Sequence, residues 1–121
     1  MKKIIVFVLL ALIFSCKKKT TPTPTGNITF WSDDNYCGSI ANARIIYVSL
    51  DGVSVGQISN FQSIPPSSCV QSNVFLVVST TQGSHTLTFT DNCCPTCTYR
   101  WSATATINLT SDCYVYYAPH R

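Results

Sequence analysis

The chain has 121 residues, enough for one domain and not two. Its formal net charge is +3, but all five lysines lie within the first 19 residues; from Gly26 onward Arg44, Arg100 and Arg121 face Asp33, Asp34, Asp51, Asp91 and Asp112, a net of −2. That body has no basic face for a polyanion, so a nucleic-acid partner is not expected.

The first fifteen residues have the build of a leader. Lys2 and Lys3 precede Ile4 to Phe14, an unbroken apolar run of 11 residues. As a helix this run spans about 17 Å, short of a ~30 Å hydrocarbon core, so it is expected to be the apolar part of a signal peptide (residues 1–15) and not a membrane span. Ile13-Phe14-Ser15-Cys16 resembles a lipobox, with a branched apolar residue, a variable one, a small one and then cysteine. Cys16 would supply the thiol that takes the diacylglyceryl thioether, giving a palmitate-type anchor and a membrane contact through N-terminal lipid. Phe14 is bulkier than the commonest residue at its place. An ordinary secreted protein cut elsewhere is the alternative, but no small-x-small site stands near the end of the run. The LIFSCKKK string is similar to lipoproteins of the Bacteroidota.

Lys17 to Thr25 (KKKTTPTPT) is expected to be a tether, residues 16–25 with the lipidated cysteine. Alternating Thr and Pro favours polyproline II, and nine such residues reach roughly 28 Å. Lys17 to Lys19 either lie against anionic headgroups or only keep the tether solvated. Lys17 stands where an acidic retention or surface-export signal would begin. The expected location is therefore the bacterial cell envelope, on the periplasmic face of the outer membrane.

The remainder, residues 26–121, patterns as β throughout. Asn27 to Ser32 puts Ile28 and Phe30 on one face. Arg44 to Leu50 meets Val53 to Ile58 across Asp51-Gly52, a pair suited to the positive φ angles of a two-residue hairpin. Asn60 to Ser72, with Pro65-Pro66 and several serines, is expected to be a loop. Val74 to Ser79 is nearly all apolar, as in a central strand. Gln82-Gly83-Ser84 turns into His85 to Asp91, with Leu87 and Phe89 inward. After the cysteine-rich turn Asn92 to Thr98, Tyr99 to Leu109 alternates: Tyr99, Trp101, Ala103, Ala105, Ile107 and Leu109 on one face, Arg100, Ser102, Thr104, Thr106 and Asn108 on the other. Cys113 to Tyr117 is the last strand. About seven short strands predict an all-β fold, an immunoglobulin-like antiparallel β-sandwich.

There are seven cysteines. Setting Cys16 aside leaves Cys37, Cys69, Cys93, Cys94, Cys97 and Cys113, which in an oxidising compartment read as up to three structural disulfides. Spacing alone does not choose among the fifteen connectivities. Cys93 is not expected to bond the adjacent Cys94, because so small a ring strains the backbone. One of the two is expected to pair with Cys113, and Cys37 with Cys69.

Three stretches carry a resemblance. Gly26-x-Ile28-x-Phe30, Ile46-x-Val48-x-Leu50-Asp51-Gly52-x-x-Val55-Gly56 and Gly83-Ser84-His85-x-Leu87 resemble the PEGA-type β-domain, with its DG hairpin ending in glycine and a later G-x-H turn. Small Cys-rich lipoproteins of the Bacteroidota have a similar layout, often with a tryptophan strand like Trp101-Ser102 and a late cysteine like Cys113. The letters P-E-G-A are absent and the cysteine-rich turn is extra. The resemblance implies an extracytoplasmic structural or binding module without catalysis, and carries over no functional residue.

The chemistry on offer is sparse. Cys94-Pro95-Thr96-Cys97 has the letters of a thioredoxin-type motif, but that chemistry needs a helix N-terminus to lower the thiol pKa, and a strand follows here. The same cluster with Cys113 has the donors for a four-thiolate zinc site; structural disulfides are the favoured reading, with no metal and no other cofactor. Asp33-Asp34 point opposite ways if extended and suit a polar turn. His85 falls in the G-x-H turn and reads as structural, and His120 as solvated. With no glutamate and no triad spacing, no catalytic residue is assigned. Aromatics are the one binding hint. Trp31 and Tyr36 flank the acidic turn and are expected to be exposed, the kind of surface that takes a protein partner or a glycan. The leading expectation is a non-catalytic envelope module that binds a protein or serves as structure. A glycan-binding module is the alternative, and a thiol redox or zinc protein the second.

Overall fold

A computed structural model describes residues 19–33, 44–70, 73–91 and 102–118. Within them the chain forms seven strands and no helix: β1 (Thr25–Trp31), β2 (Ile46–Leu50), β3 (Val53–Ile58), β4 (Leu76–Thr81), β5 (Gly83–Asp91), β6 (Ser102–Leu109) and β7 (Cys113–Tyr117). They build a β-sandwich of two sheets, ordered β4-β1-β7 and β3-β2-β5-β6. Every pairing is antiparallel except β1 with β7, which run parallel.

The alternation expected from the sequence sets the two faces. Ile28 and Phe30 of β1, Ile46, Val48 and Leu50 of β2, Leu87 and Phe89 of β5, and Ile107 and Leu109 of β6 are buried between the sheets. Burial of these side chains removes their apolar surface from water at about 25 cal/mol per Å², the main stabilising contribution here. Three rings lie across the interior: Phe30 meets Phe89 edge-on at 6.0 Å, and Phe89 stacks on Tyr116 at 5.4 Å. The hairpin between β2 and β3 turns as the Asp51-Gly52 pair requires, with φ of 50° and 82°.

Boundaries shift in informative ways. The stretch Val74 to Ser79, expected as a central strand, is instead an edge strand that starts later, at Leu76. Its apolar run has a different cause. Leu76 and Val78 pack on the core, while Val77, opposite Thr29, is half-covered from outside. Arg44 lies outside β2, which begins at Ile46. For the expected strand Tyr99 to Leu109, β6 covers Ser102 onward, and the cysteine-rich turn lies outside the described residues.

The connections sort into two ends. At one end lie Thr25, the Asp51-Gly52 turn, the turn before Gly83 and the turn before Cys113, since Thr25 pairs with Thr81, Gly83 with Leu109, and Asn27 with Cys113. Backbone bonds from Gln82 to the Pro24 carbonyl and from Asn27 to the Asp112 carbonyl tie β1 and the residue before it into this end. At the other end lie Trp31, Ile46, Ile58, Leu76, Asp91, Ser102 and Tyr117.

Candidate functional site

The described residues that flank 34–43 and 92–101 all sit at the end opposite Thr25, and there the structure places a buried charge pair. Arg44 is fully buried. Its Nε donates to Asp91 Oδ2 at 2.9 Å and its Nη2 to the same oxygen at 2.5 Å. A charge taken from water is tolerated only when paired, so the pair ties the start of β2 to the end of β5. Parity carries a signal for it. Arg44 continues the inward series Ile46, Val48, Leu50, and Asp91 continues Leu87, Phe89, so both side chains point into the sandwich.

At the same end, on the outer face of the other sheet, β1 and β7 bring aromatic and polar groups together. Trp31, expected to be exposed, is half-buried: it faces outward but lies edge-on to Tyr117 at 5.0 Å, on the strand beside it. The Tyr117 hydroxyl donates to Asp33 Oδ1 at 2.7 Å, while the rest of the polar turn expected at Asp33-Asp34 lies outside the described residues. Tyr36, Cys37, Cys93, Cys94 and Cys97 fall outside the described residues, as do Asp34, Arg100, Trp101, His120 and the lipobox with Cys16.

Both expected disulfide pairings that involve described cysteines are corrected. Cys113 bonds Cys69, with Cα atoms 5.4 Å apart, and so pairs with neither Cys93 nor Cys94; Cys69 accordingly does not pair with Cys37. The reason is the course of the loop between β3 and β4, described over residues 59–70 and 73–75. This loop starts and ends at the far end, yet it crosses the outer face of β1. The Gln62 amide donates to the Ser32 carbonyl, and Cys69 Sγ comes within 3.3 Å of the Asn27 carbonyl oxygen. Asn27 is the register partner of Cys113, so the loop delivers Cys69 to that outward-facing cysteine. Thr29, midway between, is buried although it faces outward.

The end at which β1 begins has its own clasp. His85, read as structural, is buried; its Nδ1 meets Asp51 Oδ2 at 2.7 Å and its Nε2 meets the Thr81 carbonyl at 2.7 Å. Both partners are acceptors, so both ring nitrogens must carry hydrogen, and the ring is an imidazolium. The Asp51 bond, then the Thr81 bond, hold its pKa above the ordinary histidine value. Asp51 is held below the ordinary carboxylate value by His85 first and the Thr86 amide second.

Comparison with known proteins finds no match, whether to a family, a curated protein or a solved structure. The geometry therefore stands on its own. Among the described residues no three His, Cys, Asp or Glu side chains gather as a metal site. A shallow hollow of about 370 Å³ lies in the 59–75 loop, lined by Gln62, Ile64, Pro65, Val70 and Phe75 among others. It offers apolar contact and no titratable group.

Proposed function

We propose that the chain is a membrane-anchored lipoprotein, lipidated at Cys16, whose β-sandwich is a non-catalytic structural or protein-binding module of the cell envelope. In this reading residues 1–15 are removed, and the basic Thr/Pro tether spaces the domain from the periplasmic face of the outer membrane. The observation that carries it is the polarity of the sandwich. The tether joins at Thr25, while the flanks of both long connections and the Arg44–Asp91 pair lie at the opposite end. An anchored module built this way holds the flanks of its long connections away from the lipid. Cys16→Ser tests the anchor: labelled palmitate should no longer be incorporated, and the protein should leave the membrane fraction or stay unprocessed. A mutant that still takes up label and stays on the membrane overturns the proposal.

A second reading, glycan binding, is favoured by one surface. The outer face of the four-stranded sheet carries Gln57, Tyr47, Ser49, Thr86, Thr88, Thr90 and the polar positions of β6, with no charge among them. Tyr47 is 41% exposed in its midst, a ring available for stacking on a sugar. The aromatic platform would then be Tyr47, not the half-buried Trp31. Retention on a glycan array that Tyr47→Ala abolishes supports this second reading. No retention on any glycan removes it.

A further inference from the structure

Among the described residues β6 ends its sheet, with β5 on one side and no strand on the other. Its eight residues, Ser-Ala-Thr-Ala-Thr-Ile-Asn-Leu, hold no charge and no proline, and its register against β5 runs without a bulge from Gly83–Leu109 to Thr90–Ser102. An unguarded edge of this kind presents a row of backbone donors and acceptors to any extended chain, and native edge strands are normally protected by charge, proline, a bulge or a cover. The other outer strands are guarded. The β2–β3 ladder slips at Val48/Ser49, Gly56 of β3 has φ of 146°, and a Cβ there would lie 2.7 Å from Leu76 of β4, so β3 and β4 close one side of the sandwich on each other. β7 is only five residues long and is stapled at Cys113. On the β6 side the inward Ala103 and Ala105 are only half-buried.

We propose that the free edge of β6 is an interface, and that its occupant is β6 of a second copy of this chain, added antiparallel about a two-fold axis at Ala105. The sequence of the strand is what selects a second copy. Pairing must keep outward residues opposite outward ones, since a one-residue slip would bring threonine against the apolar interior. With Ala105 on the axis, Thr104 meets Thr106 of the partner subunit, Ser102 meets its Asn108, and Ala103 meets its Ile107. Each pair is matched in polarity, threonine pairs across strands are favourable, and no like charges are opposed. The result is one continuous sheet of eight strands, its outer face uncharged from end to end. A single pair of strands buries less than the ~1,200 Å² of a stable free dimer, so the contact is suited to copies held at high local concentration on one membrane. That last point rests on the anchor proposed above; the pairing itself does not.

A photo-crosslinking residue at Thr106 in the full chain, expressed in cells as two differently tagged copies, tests it. The product should contain both tags, whereas the same residue at Val53 should give no such product. Thr104→Lys/Thr106→Lys opposes two like-charge pairs and should cut the product about tenfold, and so should Thr104→Glu/Thr106→Glu. Co-expressing the two charge variants should restore it, which also shows that both fold. A Thr106 product that contains only a different protein, the absence of any product, or charge variants that fail to complement each other would overturn the proposal. The Cys16→Ser chain provides the separate control: at high protein concentration it should still crosslink.

Discussion

Replacing both Cys69 and Cys113 by serine opens a covalent loop with a sequence separation of 44 residues. Closing a loop of that length restricts the unfolded chain by about 4 kcal/mol at 25 °C, on the chain-entropy account of disulfide stabilisation. For a domain whose total stability is of order 5–15 kcal/mol, that is a large part of the whole. With ~4–8 °C of melting temperature per kcal/mol at this size, the midpoint should fall by roughly 15–30 °C. The loss also has a location. The bridge joins the 59–75 loop to β7, so amide exchange should rise first at Thr29 and along the parallel β1–β7 ladder, and later at Phe89 in the other sheet. Circular dichroism melts of the oxidised protein and the double mutant, with peptide mapping of the unreduced chain, make the measurement. A midpoint change of only a few degrees, or a mapped bond from Cys113 to Cys93 or Cys94, would refute the reasoning.

Arg44→Met leaves Asp91 charged and buried, and should cost about 3–5 kcal/mol in denaturant unfolding; adding Asp91→Leu should recover most of that loss, and a double mutant no more stable than the single would contradict the pairing. The His85–Asp51 clasp sets a pH window. The raised imidazole contributes fully below its ordinary value of 6.5 and is lost as pH rises through its higher folded value, while the lowered carboxylate contributes above 3.8 and is lost as pH falls through its lower folded value. The difference in stability between the wild type and His85→Asn should therefore be greatest between those two ordinary values and shrink at alkaline pH. A difference that grows with pH would contradict the imidazolium assignment. Once Cys69–Cys113 is set aside, Cys37, Cys93, Cys94 and Cys97 should close two further bridges, one of them from Cys37 to the 93–97 cluster. Mass spectrometry of the unreduced mature protein should find no free thiol and no bound zinc; two or more free thiols would return that cluster to consideration as a redox or metal site.

Seven strands were legible because their signal is local. Strict alternation from Ser102 to Leu109 and the Asp51-Gly52 turn depend on neighbours in sequence, and β3 and β7 begin and end where the residues indicate. What the residues did not reveal depends on partners far along the chain. Val74 to Ser79 reads as central by hydropathy, but edge or centre is a matter of sheet order. Trp31 looked exposed because nothing local to it announces Tyr117, 86 positions on. The Cys69–Cys113 bridge was hidden by the course of the proline-bearing loop, which carries no periodic signal. The Arg44–Asp91 pair was readable in principle from parity, yet only the β2–β5 register shows that the two charges coincide.

The anchor is the central claim, and the N-terminal peptide of the mature protein tests it most directly. Mass spectrometry of protein extracted from the membrane fraction should find that peptide beginning at Cys16, with diacylglyceryl on its sulfur and Lys17 next in sequence. A mature chain that begins elsewhere, or a Cys16 that carries no lipid, would contradict the account.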